Sequence, residues 1–284
     1  MFQRATLCAV GVCVAALTLC VPRISAQEAA DIDDEDEIEL AEPSKPAWQS
    51  FLAPVLSGTS GLDFLTGGMP DRLIYFAGFD IWRNGLGGYA GFQWAPVGIH
   101  KDGFILRAAL SDNLDRYTTP TQRYVTEITR GSLMAGLKFS GNHADVQFLV
   151  GYEVQADFLL VNGRMATPRA RLGTRFTTDV WWEPTTLLML QASLSGSSID
   201  DAISARAAAG WRLFDRFWIG PEAAASRDHY SRQTRIGAHL TGLRTGDYEW
   251  TIAAGHIADS FQRDGVYARI ALLLRPPRPL LHEN

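Results

Sequence analysis

Leu-Met-Ala-Gly-Leu-Lys-Phe-Ser-Gly-Asn-His-Ala-Asp-Val-Gln-Phe-Leu-Val-Gly-Tyr, residues 133–152, decides the fold class. Leu133, Ala135, Leu137 and Phe139 alternate with Met134, Gly136 and Lys138. After Gly141-Asn142, Ala144, Val146, Phe148, Val150 and Tyr152 alternate with Asp145, Gln147, Leu149 and Gly151. A period of two puts one set of side chains on each face of a strand. Gly-Asn between two such arms marks a hairpin turn.

The pattern repeats from about Arg72 onward, without a helical stretch. The strands read as Arg72–Trp82, Leu86–Ala95, Gly103–Ser111, Tyr124–Phe139, Ala144–Glu153, Arg169–Trp181, Thr186–Ser195, Ala202–Trp211, Phe217–Ser226, Gln233–Thr241, Tyr248–Ile257 and Gly265–Arg275. Asn84-Gly85 and Trp182-Glu-Pro184 read as turns, Asp112 to Pro120 as a polar loop, and Val161-Asn-Gly163 as part of another loop. Twelve strands of about ten residues, an even number, fit an all-β, closed antiparallel up-and-down transmembrane barrel with apolar residues outside and polar residues inside. Trp94, Tyr152, Trp181, Trp182, Trp211, Phe217, Trp218 and Tyr248 lie near strand ends, as interfacial girdles require. A soluble sandwich also alternates, but its strands are usually shorter, roughly five or six residues.

Residues 1–26 have the make-up of a secretory signal: Arg4, an apolar run from Leu7 to Val21, and Ile24-Ser25-Ala26 as the cleavage site. The run is short for a membrane span, and Leu19 before Cys20 disfavours a lipoprotein. Cys8, Cys13 and Cys20 all fall in this segment. The mature chain then has no disulfide or thiolate chemistry. Residues 27–71 form an acidic, Pro-containing segment expected to be disordered. Nine of the 31 acidic residues lie between Glu28 and Glu42. From Pro46 on, 22 acidic residues face 23 basic ones. No basic excess invites nucleic acid. Residues 72–275 are the barrel and 276–284 a Pro-rich tail. The expected location is the outer membrane, with its lipid as the surrounding partner.

Tyr75-Phe-Ala-Gly-Phe-Asp80, Gly88-Tyr-Ala-Gly-Phe-Gln-Trp-Ala-Pro96 and Asp102-Gly-Phe104 resemble the start of the cellulose biosynthesis protein BcsS family. Gly220-Pro-Glu222, Tyr230 and Arg235-Ile-Gly-Ala238 resemble its later part. The resemblance covers about residues 72–275. It implies an outer-membrane protein associated with cellulose production or secretion, and cellulose or other secretion components as partners. It brings no catalytic set and no cofactor. One departure is the end of the chain: the last strand closes near Leu274 rather than on a terminal aromatic residue.

No Gly-x-Ser-x-Gly elbow or His-Glu-x-x-His motif is present. Gly85-Leu-Gly-Gly-Tyr-Ala-Gly91 lacks phosphate-loop spacing and reads as close strand packing. The six histidines are scattered; His229 falls in a loop beside Asp228, and His239 on a polar face. The informative polar set is an arginine ladder, Arg169, Arg171 and Arg175, joined by Arg107, Arg206, Arg235 and Arg269. Asp80, Asp145, Glu153, Glu222 and Glu249 are the counter-charges. One reading is a lumen network that fills the barrel. The other is a polar path for a sugar chain, with Tyr267 as a lumen aromatic and Trp82 and Trp218 as further candidates. The expectation is a non-catalytic accessory of cellulose biosynthesis that supports export, anchoring or assembly of the glucan. A small porin is the alternative, and a lipid- or polymer-modifying outer-membrane enzyme a third.

Overall fold

The computed structural model describes residues 70–118, 122–141, 143–162, 164–165, 169–229 and 231–274. The signal segment, the acidic leader up to residue 69, the tail after Leu274, and Asn142 and Gly163 of the expected turns lie outside them.

A 3-10 turn, Pro70–Arg72, leads into thirteen strands: β1 Leu73–Trp82, β2 Gly85–Trp94, β3 Gly103–Thr118, β4 Arg123–Ser140, β5 Ala144–Val161, β6 Arg164–Met165, β7 Arg169–Thr185, β8 Leu188–Ser197, β9 Ala202–Leu213, β10 Phe217–Arg227, β11 Arg232–Thr245, β12 Tyr248–Asp259 and β13 Asp264–Leu274. The two-residue β6 only extends the end of β5. The other twelve pair antiparallel with their sequence neighbours. β1 pairs β13 from Tyr75↔Leu274 to Trp82↔Tyr267 and closes the ring. Each of the twelve then has a neighbouring strand on both sides, which is the condition for β-structure in lipid.

The expected polar loop from Asp112 is instead strand. β3 continues to Thr118, in register with Arg123 of β4. The Thr129 hydroxyl donates to Asp112 at 2.9 Å on this stretch. Polar residues suit a strand that has risen beyond the apolar layer, where both faces meet water. β3, β4, β5 and β7 run 16, 18, 18 and 17 residues, against 10 to 14 in the other barrel strands. At about 3.3 Å per residue, this wall stands roughly 20 Å taller along the strands, at the rim away from β1's start and β13's end.

Trp182-Glu-Pro184 is not a turn. β7 passes through it to Thr185, with a register shift between Trp182 and Thr185. Pro184 has no N–H for the ladder and is accommodated in the bulge.

Alternation sorts the side chains by face. Outward are Phe79, Leu133, Val150, Tyr152, Leu172, Trp211 and Val266, all exposed. Trp181 and Trp218 correct the expected girdle: their neighbours Trp182 and Phe217 face out, so they face in. There they meet edge to face, with centroids 5.6 Å apart. Inside the barrel, Ala95, Ile99, Ile105, Met134 and Leu149 form a small apolar cluster, with Ile74 against it. The β2–β3 connection puts Ala95 and Ile99 into this cluster, at the rim of the strand termini. Ala253, Ile257 and Tyr267 form a second cluster beside Trp82.

Candidate functional site

The inward polar side chains form ties across the lumen. The largest centres on Glu222 of β10, which is 3% exposed. Its Oε2 accepts from Arg206 Nη2 of β9 at 2.7 Å and from Arg269 Nη2 of β13 at 2.6 Å. Its Oε1 accepts from the Tyr267 hydroxyl of β13 at 2.8 Å. Arg206 also donates to Gln191 of β8 at 2.9 Å. One buried carboxylate thus meets two cations and a phenol from β9 and β13, and Arg206 extends the tie to β8.

A second tie joins β11 to β1. Arg235 Nη1 donates to Asp80 Oδ2 at 2.7 Å. The Arg235 guanidinium also lies 5.4 Å from the ring centroids of both Trp82 and Tyr267, within cation–π range. A third centres on Arg107 of β3. It donates to Gln93 of β2 and Gln147 of β5, each at 2.8 Å, and to Asp179 of β7 at 2.8 Å. Glu153 of β5, 1% exposed, pairs with Arg175 of β7 and accepts from Ser197 of β8 at 2.7 Å. Arg130 donates to the buried Gln155 at 2.7 Å.

At the tall rim, Arg171 bridges Asp157 and Asp200. Its hydrogen bond to Asp200, in the β8–β9 turn, holds that carboxyl below the usual carboxylate range. Arg263 bridges Asp259 at 2.6 Å and Asp115 at 3.3 Å.

The structure brings together most of the residues expected in the lumen. Besides Arg171 at the tall rim, three stand apart from the central ties. Arg169 shares the inward parity of Arg171 but is exposed at the tall rim. Asp145 pairs with buried Lys138 at 3.5 Å, and Glu249 with Arg244 at 3.5 Å, near the opposite rim. Tyr267 is inward as expected, but 3% exposed and engaged by Glu222 and Arg235. It offers no free face on which a sugar could stack.

Sequence reasoning missed the neutral partners Gln93, Gln147, Gln191 and Gln155, and the acids Asp157, Asp179 and Asp200. All the strand residues among them share the parity of the arginines, and that parity was the available signal. It also missed the role of His239. The β9–β10 ladder runs from Ile219↔Trp211 to Glu222↔Ala208 but lapses at Gly220 and Pro221. Pro221 faces Ala209 and has no N–H to give its carbonyl. His239 Nε2 lies 3.1 Å from that carbonyl. A carbonyl only accepts, so Nε2 carries a proton, while Nδ1 lies 2.9 Å from the Thr241 hydroxyl. The bare α-carbon of Gly220 leaves room for the displaced carbonyl, since a Cβ there would lie 2.0 Å from Ala209 O.

The family model for cellulose biosynthesis protein BcsS matches residues 74–276, most of the chain. The chain belongs to the BcsS family. The inward residues of the stretches that resemble the family line the lumen. Gly78 leaves space for the Tyr89 ring and Gly91 for the Phe76 ring. Gln93 holds Arg107, and Asp80 holds Arg235. Gly220-Pro-Glu222 sets both the His239 contact and the central carboxylate. No curated protein matches the chain. Solved structures with a similar fold include LpxR from Salmonella typhimurium (7% identity, 72% of this chain and 100% of that one, TM-score 0.46). The translocator domain of the autotransporter NalP from Neisseria meningitidis (12%, 80% and 98%, 0.43) and the KdgM porin (8%, 72% and 99%, 0.42) are others. At these values the likenesses bear on neither function nor partner.

Proposed function

We propose that this BcsS-family chain is a non-catalytic accessory barrel of the outer membrane, exported on a signal cleaved after Ala26. It supports export, anchoring or assembly of a glucan made elsewhere. The observation that carries this reading is the match of the BcsS model across nearly the whole barrel. The outward apolar face supports the membrane location, because a closed barrel bearing Val150, Tyr152, Leu172 and Val266 outside suits lipid.

The lumen network acts as scaffold rather than as a conduit. Its charged groups pair with one another, and its aromatics Tyr267 and Trp82 are taken up by Arg235. Both ring nitrogens of His239 have structural partners, which argues against its use as a general base. Cellulose itself, or another component of the secretion apparatus, is the partner that a membrane scaffold of this family would meet outside the lumen.

A clean deletion tests the proposal. Cells lacking the chain keep an active synthase but lose or fail to retain extracellular cellulose, and the protein fractionates with the outer membrane. Unchanged cellulose in the deletion overturns it. Planar-bilayer conductance of the purified barrel separates scaffold from channel: steady ion-conducting steps would favour a small porin.

A further inference from the structure

Arg227 ends β10 and Arg232 begins β11, directly opposite each other in the ladder. Both are exposed. Both have the outward parity of Ala225 and Thr234, so their side chains stand on the lipid side of the wall. Neither makes an ion pair among the described residues. Like charges facing each other across a strand pair destabilise it unless an anion lies between them. The carboxylate next in the chain, Asp228, accepts from the backbone N–H of Ser231 at 2.7 Å and from its hydroxyl at 3.3 Å, so it caps the turn. Elsewhere on this outward side His256 and Asp264, on β12 and β13, face each other at 3.6 Å, and exposed Asp201 and His229 lie in the adjoining turns.

The position along the strand matters as much as the charge. β10 has 11 residues from Phe217 to Arg227. A strand needs about 9–11 tilted residues to cross the hydrocarbon. The arginines therefore stand at the headgroup level of the far leaflet. Immediately toward the membrane centre the outward face of β9 and β10 is smooth: Ala225 lies opposite Ala205, and Ala223 opposite Ala207, all exposed, with Thr234 and exposed Ile236 beside them on β11. The opposite wall carries Leu133, Leu137, Phe148, Val150 and Leu172 at the same face. Two cations above a shallow apolar panel complement an amphiphile with a phosphate head and acyl chains.

We propose that the outward face of β9–β11 binds a phosphorylated lipid of the outer leaflet, with the phosphate between Arg227 and Arg232 and the acyl chains against the alanine panel. The proposal rests on the membrane-spanning reading above. Arg supplies donors in a fork that matches phosphate oxygens, which sets this pair apart from general surface attraction.

The test uses the full chain, purified in detergent and followed by native mass spectrometry. It is titrated with a diphosphorylated disaccharide lipid, with the same lipid after phosphatase treatment, and with inorganic phosphate. The intact protein binds the phosphorylated lipid tightly, the dephosphorylated one poorly and free phosphate weakly. Arg227→Gln with Arg232→Gln weakens lipid binding by roughly twenty-five-fold, about a factor of five for each arginine. Ala207→Trp, which fills the panel and keeps both arginines, weakens the lipid but leaves phosphate binding alone. Equal lipid binding by the double glutamine variant overturns the site. Equal affinity for inorganic phosphate overturns the lipid as its ligand. Each variant is scored only against its own heat-modifiable gel mobility, which reports a folded barrel. A folded barrel that reaches the outer membrane but ignores the phosphorylated lipid sinks this site and leaves the proposed function standing.

Discussion

His239 donates to the Ala209 carbonyl that Pro221 has no N–H to meet, so a lumen side chain repairs a gap in the barrel wall. Removing the imidazole leaves a buried carbonyl unsatisfied. His239→Ala should cost about 1–3 kcal/mol in urea unfolding followed by tryptophan fluorescence. Pro221→Ala restores the N–H, and in that background His239→Ala should cost markedly less. Additive costs would show that the two residues act independently.

Glu222 separates the guanidinium groups of Arg206 and Arg269. Glu222→Ala leaves two buried cations without their counter-charge and should cost about 3–5 kcal/mol. Glu222→Gln keeps shape and hydrogen-bonding capacity, and should fall between that variant and the native protein. If glutamine costs as much as alanine, the charge rather than the contacts sets the cost.

Asp80 and Arg235 lie 155 residues apart and close at 2.7 Å across the lumen. A double-mutant cycle with Asp80→Asn and Arg235→Gln should give a coupling of about 0.5–3 kcal/mol. The coupling should survive high salt, since both side chains are largely shielded from solvent. A coupling that vanishes in salt would place the pair in bulk water.

Gly151 faces inward where a Cβ would lie 2.0 Å from the Leu133 carbonyl oxygen, while a Cβ on Gly88 would meet nothing nearer than 3.7 Å. Gly151→Ala should therefore cost about 1–3 kcal/mol, through a backbone shift between β4 and β5. Gly88→Ala should change stability little. Equal effects would mean that the two strands part easily.

The Asp200 carboxyl, held low by its hydrogen bond from Arg171, links the β8–β9 turn to β7. Its folded value lies below its unfolded value of about 3.9, so its contribution is full above that pH. The contribution is lost as pH falls through the depressed folded value. Amide exchange in residues 198–201 should accelerate over that acid window. In Asp200→Asn it should already be fast at neutral pH and show no such step.

The barrel was legible in the sequence because each strand carries its own record of which face is wet. Leu133 against Met134 and Arg171 against Leu172 are local decisions that a period of two exposes. The ends of strands were less legible. Asp112 to Thr118 reads as loop by composition, yet a strand beyond the apolar layer tolerates polar residues on both faces. Pro184 reads as a stop, yet a bulge absorbs it. The lumen set was legible as a set, and its pairings were not. Arg235 reaches Asp80 over β12 and β13, and Arg107 reaches Asp179 over β4 and β5. Such partners depend on the curvature of the closed ring, which no spacing along one strand encodes. The His239 contact needed a proline on another strand to make sense of it.

The seam between β1 and β13 joins the first strand to the last, with eight register pairs against seventeen between β4 and β5. Every hairpin before it can form from neighbours as the chain emerges, but this one waits for residue 274. A chain cut short by a single strand has two raw edges and a lumen in which Arg269 never arrives to meet Glu222. Closure of the ring thus depends on the last eleven described residues, Asp264–Leu274.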